Sequence, residues 1–401
     1  MGRPVGMSAS AMKLIVCILV ILVALGVWEM ARHRWHLRRI PVRVHVNGSR
    51  GKSSVARLIA AGLRGGGQRV VVKTTGSAAR VIHCDGTETP VVRRGGPNIR
   101  EQLKVIRDAA NEQCEALVIE CMAVRPDLQY TCEHQIVHAT HGVITNVRPD
   151  HVEVMGPTMA DVAKSLSGTV PRRAHLFHAE DVFASFFELR AEAAKSTCVE
   201  ATADKVSAAE MEGFKYVEFP ENVALALDVC EAAGVPRTVA LDAMYDVQPD
   251  VGAMTLWHFE TEHGAVTFTN GFAANDPQSY RRIWERLKLV ERPENVVMVF
   301  NNREDRMRRA KDLVPMFGRE LAAGRYVLIG EETRTVSDML RREGLPMDRV
   351  EDLSGRPAPE LWAKLTELCP DGGMVIGIGN IKGIGNELLA HLRLVMAEEV
   401  A

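Results

Sequence analysis

The chain has 401 residues, 46% apolar and 25% charged, a composition that excludes a fibrous or disordered protein and fits two or three globular domains at about 150 residues each. Its 49 lysines and arginines are balanced by 51 aspartates and glutamates, a net charge of −2, so no whole-chain field draws it to nucleic acid and any polyanion must be met by a local patch. The eight cysteines are scattered without one C-x-x-C pair, which argues against a zinc ribbon or a stapled secreted scaffold and fits reduced thiols.

In chain order, the first element is an uncharged apolar run over residues 14–28. As a helix this run covers about 22 Å, less than the ~30 Å core of a bilayer. A single span therefore needs Lys13 to snorkel at one end, and Trp28, Trp35, Arg32, Arg34, Arg38 and Arg39 to anchor the other. The excess of arginine after the run predicts one crossing of the cell membrane, with everything from about residue 30 onward in the cytoplasm. No A-x-A cleavage site follows the run, which disfavours a cleaved signal peptide.

Valines 42, 44 and 46 then alternate up to Gly48, and apolar residues return at helical spacing over 53–63, which reads as strand, glycine loop, helix. Buried strands are predicted at 70–72, 117–119 and 143–147, with a helix over 101–111. This alternation predicts an α/β domain with a mostly parallel sheet. A helix over 221–233 stops at Gly234 before Pro236, and the turn-rich stretch 248–252 is a candidate linker. A second alternating set follows, with strands at 266–269, 296–300, 326–329 and 374–378 and helices at 278–289, 333–342 and 359–368. The expected organisation is an anchor with a basic flank over 1–40, a nucleotide-binding domain over 41–247 and a smaller α/β domain over 248–401.

The loop Gly48-Ser49-Arg50-Gly51-Lys52-Ser53-Ser54 lies between strand and helix, the context a phosphate loop requires. Its glycines let backbone N–H groups wrap an anion, Lys52 reaches the terminal phosphates, and Ser53 can ligate Mg²⁺. Glu120 ends one predicted strand, and Asp150 and His151 follow another that is expected to end near Val147. Strand ends of this kind line the ligand crevice of a doubly wound sheet, so these side chains are expected to converge on the phosphates as Mg²⁺ ligands. Positive charge concentrates at Arg93 and Arg94 and again at Arg303, Arg306, Arg308 and Arg309; either cluster is a candidate path for an anionic polymer or simply a solvated face. The loop from Lys73 to Ser77 either holds a substrate carboxylate or is a plain strand-to-helix turn.

The short loop, the Glu after an apolar strand, the N-V-x-x-D-H element from Asn146 to His151, and Asn222 in E-N-V-A-L-A-L resemble the Mur ligase and folylpolyglutamate synthetase superfamily of ATP-dependent amide ligases. Within it, VNGSRGKSSVARL, VKTTGSAAR, ECMAVRPD, DHVEVMGPT, NGFAANDPQS and VIGIGNIKGIG resemble the PgsB/CapB family, the ligase subunits of poly-γ-glutamate synthase. The resemblance implies a P-loop Mur-ligase-like central domain and a Rossmann-like C-terminal domain that closes over it. It implies ATP and Mg²⁺ as cofactors, with phosphates at Lys52 and Ser53, a metal site of Ser53, Glu120 and His151, and Asn222 and Asn275 near the nucleotide. Asn270, Asp276 and Arg303 would be contributed by the second domain, with Lys52, Glu120, His151, Asp276 and Arg303 in catalytic roles. Ala253 stands where Mur enzymes carry an arginine, so Arg303 or Arg306 is the expected substitute. Lys164 lies in the region of the carbamylated lysine of Mur enzymes and reads here as a solvated helix residue. The implied substrates are L- or D-glutamate and growing poly-γ-glutamate, and the implied partners are membrane-embedded subunits of PgsC/CapC type and an export-associated subunit of PgsA/CapA type. A membrane-attached P-loop kinase or ATPase, or a nucleotide-binding scaffold of a membrane complex, would share the loop without requiring glutamate.

Overall fold

In the computed structural model, which describes residues 9–400 other than 76–78, 94, 215, 217, 249–253, 255, 273 and 275–276, the apolar run lies within one continuous helix, Ala9–Arg38. The helix outlasts the predicted run because residues 27–39 contain neither glycine nor proline, and Pro41 is the first residue that stops it. Thirty residues give about 45 Å at 1.5 Å each, so it is long and apolar enough to cross a membrane. From Met12 to Arg32 its side chains are exposed. Arg32 sits over the Trp28 ring at 5.3 Å and Arg39 over Trp35 at 4.7 Å, placing cation–π pairs at its basic end. Only its last turns enter a core: Leu37 and the following Ile40 are buried with Val105, Ile106 and Ala109, and His33 Nε2 lies 2.8 Å from the Ile136 carbonyl.

By internal packing the chain divides into two units. The first runs to Gly213 and resumes over Phe219–Gln248; the second is formed by the chain beyond Gln248 together with Phe214–Glu218. The first unit is built on an eight-stranded sheet: β1 (Val42–Asn47), β2 (Val70–Lys73), β3 (Arg80–Ile82), β4 (Glu88–Pro90), β5 (Ala116–Glu120), β6 (His141–Ile144), β7 (His175–His178) and β8 (Thr197–Glu200), in the order β4-β3-β2-β5-β1-β6-β7-β8. Six of them, β2, β5, β1, β6, β7 and β8, are parallel, while β3 and β4 add an antiparallel edge. The central strands are buried almost throughout, as valine- and isoleucine-rich runs covered on both faces should be. Val46 is in register with Glu120, and Asn47 with Ile144, so the C-terminal ends of β5, β1 and β6 stand side by side.

β6 ends three residues earlier than the apolar pattern predicts. The Thr145 N–H still donates to Asn47 O of β1 at 2.9 Å, but its hydroxyl turns to the glycine loop and donates to Arg50 O at 2.6 Å.

The second unit has a six-stranded sheet of β9 (Leu256–Thr261), β10 (Gly264–Asn270), β11 (Val296–Asn302), β12 (Arg325–Gly330), β13 (Val350–Asp352) and β14 (Gly373–Gly379), ordered β13-β12-β11-β14-β10-β9. All neighbours are parallel except the β9–β10 hairpin. Its core joins Phe259, Phe268, Val299, Ile329 and Leu392 to Trp362 and Leu365 of the helix Ala358–Leu368. The Trp362 ring meets Phe259 edge-on at 4.9 Å, a preferred aromatic geometry.

Candidate active site

The turn between β1 and the helix Lys52–Gly65 depends on two glycines with positive φ, Gly48 at 132° and Gly51 at 79°. A Cβ on Gly48 would lie 2.0 Å from Thr145 Oγ1, and one on Gly51 would lie 3.1 Å from Asn222 Oδ1, so a larger residue fails on both backbone and space. Gly51 opens the helix, no side chain caps its first turn, and no acidic residue lies there. The N–H groups of that turn and the helix dipole are therefore directed at whatever anion enters the loop.

The loop is braced from the β6 side. Ser49 N–H donates to Asn146 O at 3.0 Å. Its hydroxyl donates to Arg148 O and accepts from the Arg148 N–H, both at 2.9 Å. Asn146 clamps Arg50 from both sides, accepting from its N–H and donating to its carbonyl at 3.1 Å each. Lys52 folds back across the loop, Nζ donating to Gly48 O at 2.6 Å and Ser49 O at 3.3 Å. These backbone acceptors are neutral, and an anionic phosphate oxygen would offer the ammonium a stronger, oppositely charged partner.

Glu120, 2% exposed at the end of β5, accepts from the Ser53 hydroxyl at 2.8 Å and from the Thr75 N–H at 2.7 Å, both on Oε2. Both donors are uncharged, and among the described residues no lysine or arginine forms an ion pair with this carboxylate. The nearby Lys73 ammonium attracts it but is paired directly with Glu101, so Glu120 stays open to a further cation, and with the Ser53 hydroxyl beside it the site offers the hard oxygen donors that a divalent cation takes. The residues present fit such a cation.

His151 is placed differently. It has φ 41° and a half-exposed side chain. Its ring nitrogens face Glu153 at 3.4 Å and Asp150 at 3.9 Å, and Asp150 pairs with Arg50 at 3.2 Å. Among the described residues no three His, Cys, Asp or Glu side chains are gathered as a metal cluster. Asn222, 6% exposed in the helix Pro220–Ala232, is brought against Gly51 as described. Lys164 is exposed on the short helix Met159–Leu166.

Three of the arginines marked in the sequence, Arg93, Arg303 and Arg309, have local partners. Glu101 holds Arg93 at 2.9 Å and the fully buried ammonium of Lys73 at 2.6 Å. Burial lowers the Lys73 pKa, and the Glu101 carboxylate only partly restores it. Lys73 is thus held on Glu101 at the end of β2; Gly76, Ser77 and Arg94 lie outside the described residues. In the second unit Arg303 pairs with Asp305 at 2.9 Å, and Arg309 donates to Gly379 O and Asn380 Oδ1. Asn270, 2% exposed, accepts from the Phe272 N–H at 3.3 Å. Ala253, Asn275 and Asp276 lie outside the described residues.

A phosphate loop at the C-terminal edge of a mostly parallel sheet, followed by a second α/β unit, defines a Mur-ligase-type protein. Residues 46–225 match the Mur ligase middle domain and residues 256–394 match the poly-γ-glutamate synthase CapB C-terminal domain. The chain belongs to the CapB family. It is 36% identical over 388 residues to the capsule biosynthesis protein CapB of Bacillus anthracis, covering 95% of this chain and 82% of the other. It is 34% identical over 388 residues to the PGA synthase CapB of Bacillus subtilis (strain 168), covering 95% and 98%. Among solved structures, E. coli FolC in complex with ADP, without folate substrate, is similar in fold, with a TM-score of 0.69 at 15% identity over 93% of each chain.

Proposed function

We propose that this chain is the ATP-dependent ligase of a membrane-attached poly-γ-glutamate synthase, joining the γ-carboxylate of glutamate or polyglutamate to the amine of another glutamate. The observation that carries the reading is the intact phosphate loop, with Ser53 on Glu120 and Lys52 turned onto the loop's own carbonyls, in a chain that matches CapB proteins along 95% of its length.

Bound ATP supplies the phosphoryl group that activates the carboxylate, and a divalent cation, proposed as Mg²⁺, supplies charge neutralisation. The first-turn N–H groups and Lys52 hold the phosphates and offset charge on the transferring group. Ser53 and Glu120 hold the cation, with His151 as a third proposed ligand, and Asn222 packs the loop beneath the nucleotide. A carboxylate oxygen bonds to the γ-phosphorus as ADP leaves. The glutamate nitrogen then bonds to the acyl carbon as phosphate leaves, and the amine proton passes to solvent. Both substrates are anions, so the rigid loop does its work by neutralising and orienting them before they react.

The N-terminal helix is proposed to hold the catalytic units on the cytoplasmic face of the cell membrane, beside membrane-embedded and export-associated partner subunits. The roles of Asn275, Asp276 and Arg303 rest on family resemblance.

Membranes containing the full chain and its partner subunits, given labelled glutamate and ATP, are expected to yield an amide-linked polymer detectable by mass spectrometry and resistant to α-peptidases. Phosphate release that ignores glutamate would instead identify a kinase or ATPase. Unchanged polymer synthesis in Lys52→Ala would identify a scaffold.

A further inference from the structure

At the opposite end of the same strands lies a feature the ligase reading leaves unused. The six residues of β1 separate the glycine loop from the start of the strand by about 20 Å, and there a cavity of about 520 Å³ opens. Its wall brings together Arg43 of β1, His138 and His141 from the segment entering β6, and Arg172, Arg173 and His175 from the segment entering β7. The carboxylate on this wall, Glu133, already faces His45 in the core at 2.8 Å. Three arginines therefore share the space without a free acid to balance them.

Burial, more than the arginines, sets the state of the histidines on this wall. His141 is 6% exposed, and burial, followed by His175 and Arg43, lowers its pKa to about 4. Burial lowers that of His138, with His33 and Arg43 adding to the effect and Glu133 opposing it. Nε2 of His141 makes no well-formed hydrogen bond, and a weak interaction with the Ala232 carbonyl offsets little of the burial. Such a site is electrostatically incomplete until an anion enters.

Its position indicates which anion. Arg43 donates to Leu37 O at 3.3 Å and Ile40 O at 2.7 Å, the carbonyls at the end of the N-terminal helix, and to His138 O at 2.9 Å. The cavity wall is thus tied to the last turn of that helix. A hydrocarbon core of about 30 Å that begins at Lys13 takes about 20 residues and ends near His33, so the helix end at Arg38 lies about 8 Å beyond it, at the outer part of a headgroup layer. We propose that this cavity binds the phosphate of an anionic phospholipid headgroup and seats the first unit on the membrane surface. This rests on the proposal that the helix spans the membrane. The cavity opens to solvent beside exposed Arg172, Arg173 and His175, where a headgroup phosphate can enter from outside, whereas the synthesis of the polycarboxylate is proposed at the other strand ends. Arginine is the side chain best suited to phosphate oxygens.

The test is native mass spectrometry of the full chain released from neutral detergent with phosphatidylglycerol or phosphatidylcholine, for wild type, Arg172→Gln/Arg173→Gln and His175→Gln. Wild type is expected to retain phosphatidylglycerol at least tenfold over phosphatidylcholine. The double variant is expected to lose that preference while keeping its lipid-free melting temperature, and His175→Gln to weaken it. Inorganic phosphate or poly-γ-glutamate displacing the lipid at equal concentration would overturn the headgroup assignment in favour of a free anion or the polymer. Carbonate washing of membranes separates the two readings. Retention of the chain without lipid preference overturns the cavity proposal alone, whereas release of the chain overturns the membrane span and the headgroup site with it.

Discussion

At the C-terminal edge of the first sheet, β1 runs into a glycine loop whose Lys52 and Ser53 rest on partners that an incoming phosphate and cation can replace. At the corresponding edge of the second sheet, the end of β11 is held by its own side chains. There β11 ends in Asn301 and Asn302, both 1% exposed. Asn301 Nδ2 donates to the carbonyls of Asn380 and Lys382, and Asn302 Nδ2 to Glu331 O. Two sheets of similar topology therefore end their strands differently: the first in the glycine loop, proposed as the ligand edge, and the second, at β11, in a stitched connection to the chain after β12 and β14. The arrangement of strands provides the crevice, and the residues after each strand decide whether it stays available.

Substitutions at the two edges should separate along this line, and the largest effect is expected at the loop. Lys52→Ala should reduce labelled-glutamate incorporation about 10²–10³-fold, the loss typical of removing a preorganised transition-state donor, with little change in melting temperature. A comparable loss of stability would mean that the loop is as structural as the asparagine edge. Glu120→Gln comes next: activity should fall and the divalent-cation concentration for half-maximal rate should rise, because the carboxylate charge is removed while the hydrogen-bonding shape is kept. An unchanged cation dependence would place the metal elsewhere.

Arg303→Ala tests whether any part of the second edge takes part in chemistry. A loss of at least tenfold in turnover without a shift in melting temperature would extend the ligand edge to this residue; a purely structural role would show as the reverse. Asn301→Ala should leave the Asn380 and Lys382 carbonyls without their side-chain donor and cost about 1–3 kcal/mol of stability, measurable in denaturant, with a smaller effect on turnover than Lys52→Ala.

The smallest expected effect concerns pH. Burial acts to lower the pKa of His45, but its interactions with Cys121 and Glu133 outweigh this and raise it to about 9. A raised histidine pKa stabilises the folded state fully below its unfolded value near 6.5, and that contribution is lost as pH rises through about 9. Wild type should therefore lose thermal stability between pH 7 and pH 10, and His45→Gln/Glu133→Gln should lose less. The second unit has no buried histidine among its described residues, so this component of the loss should appear in hydrogen exchange of the first sheet.

Much of this arrangement is legible in local pattern. Apolar runs locate β1, β2, β5, β11, β12 and β14, and the glycines with Lys52 mark the phosphate loop, because period, turn chemistry and motif spacing act over a few residues. The three-residue strands β3, β4 and β13 leave no comparable signal: they are short, and β4 is exposed along its whole length. A run of arginines likewise shows charge but not the partner that engages it: Glu101 for Arg93, Asp305 for Arg303 and the Gly379 carbonyl for Arg309.

The sequence by itself determined the apolar N-terminal helix, the α/β alternation and the loop chemistry, each set by neighbours along the chain. Only the tertiary structure decided which distant groups meet: Ser53 with Glu120 across 67 positions, His45 with Glu133 across 88, and the arginines and histidines of the cavity across three strand entrances. Strand order and register bring those residues together, and they are fixed by burial of whole faces, which no local spacing encodes.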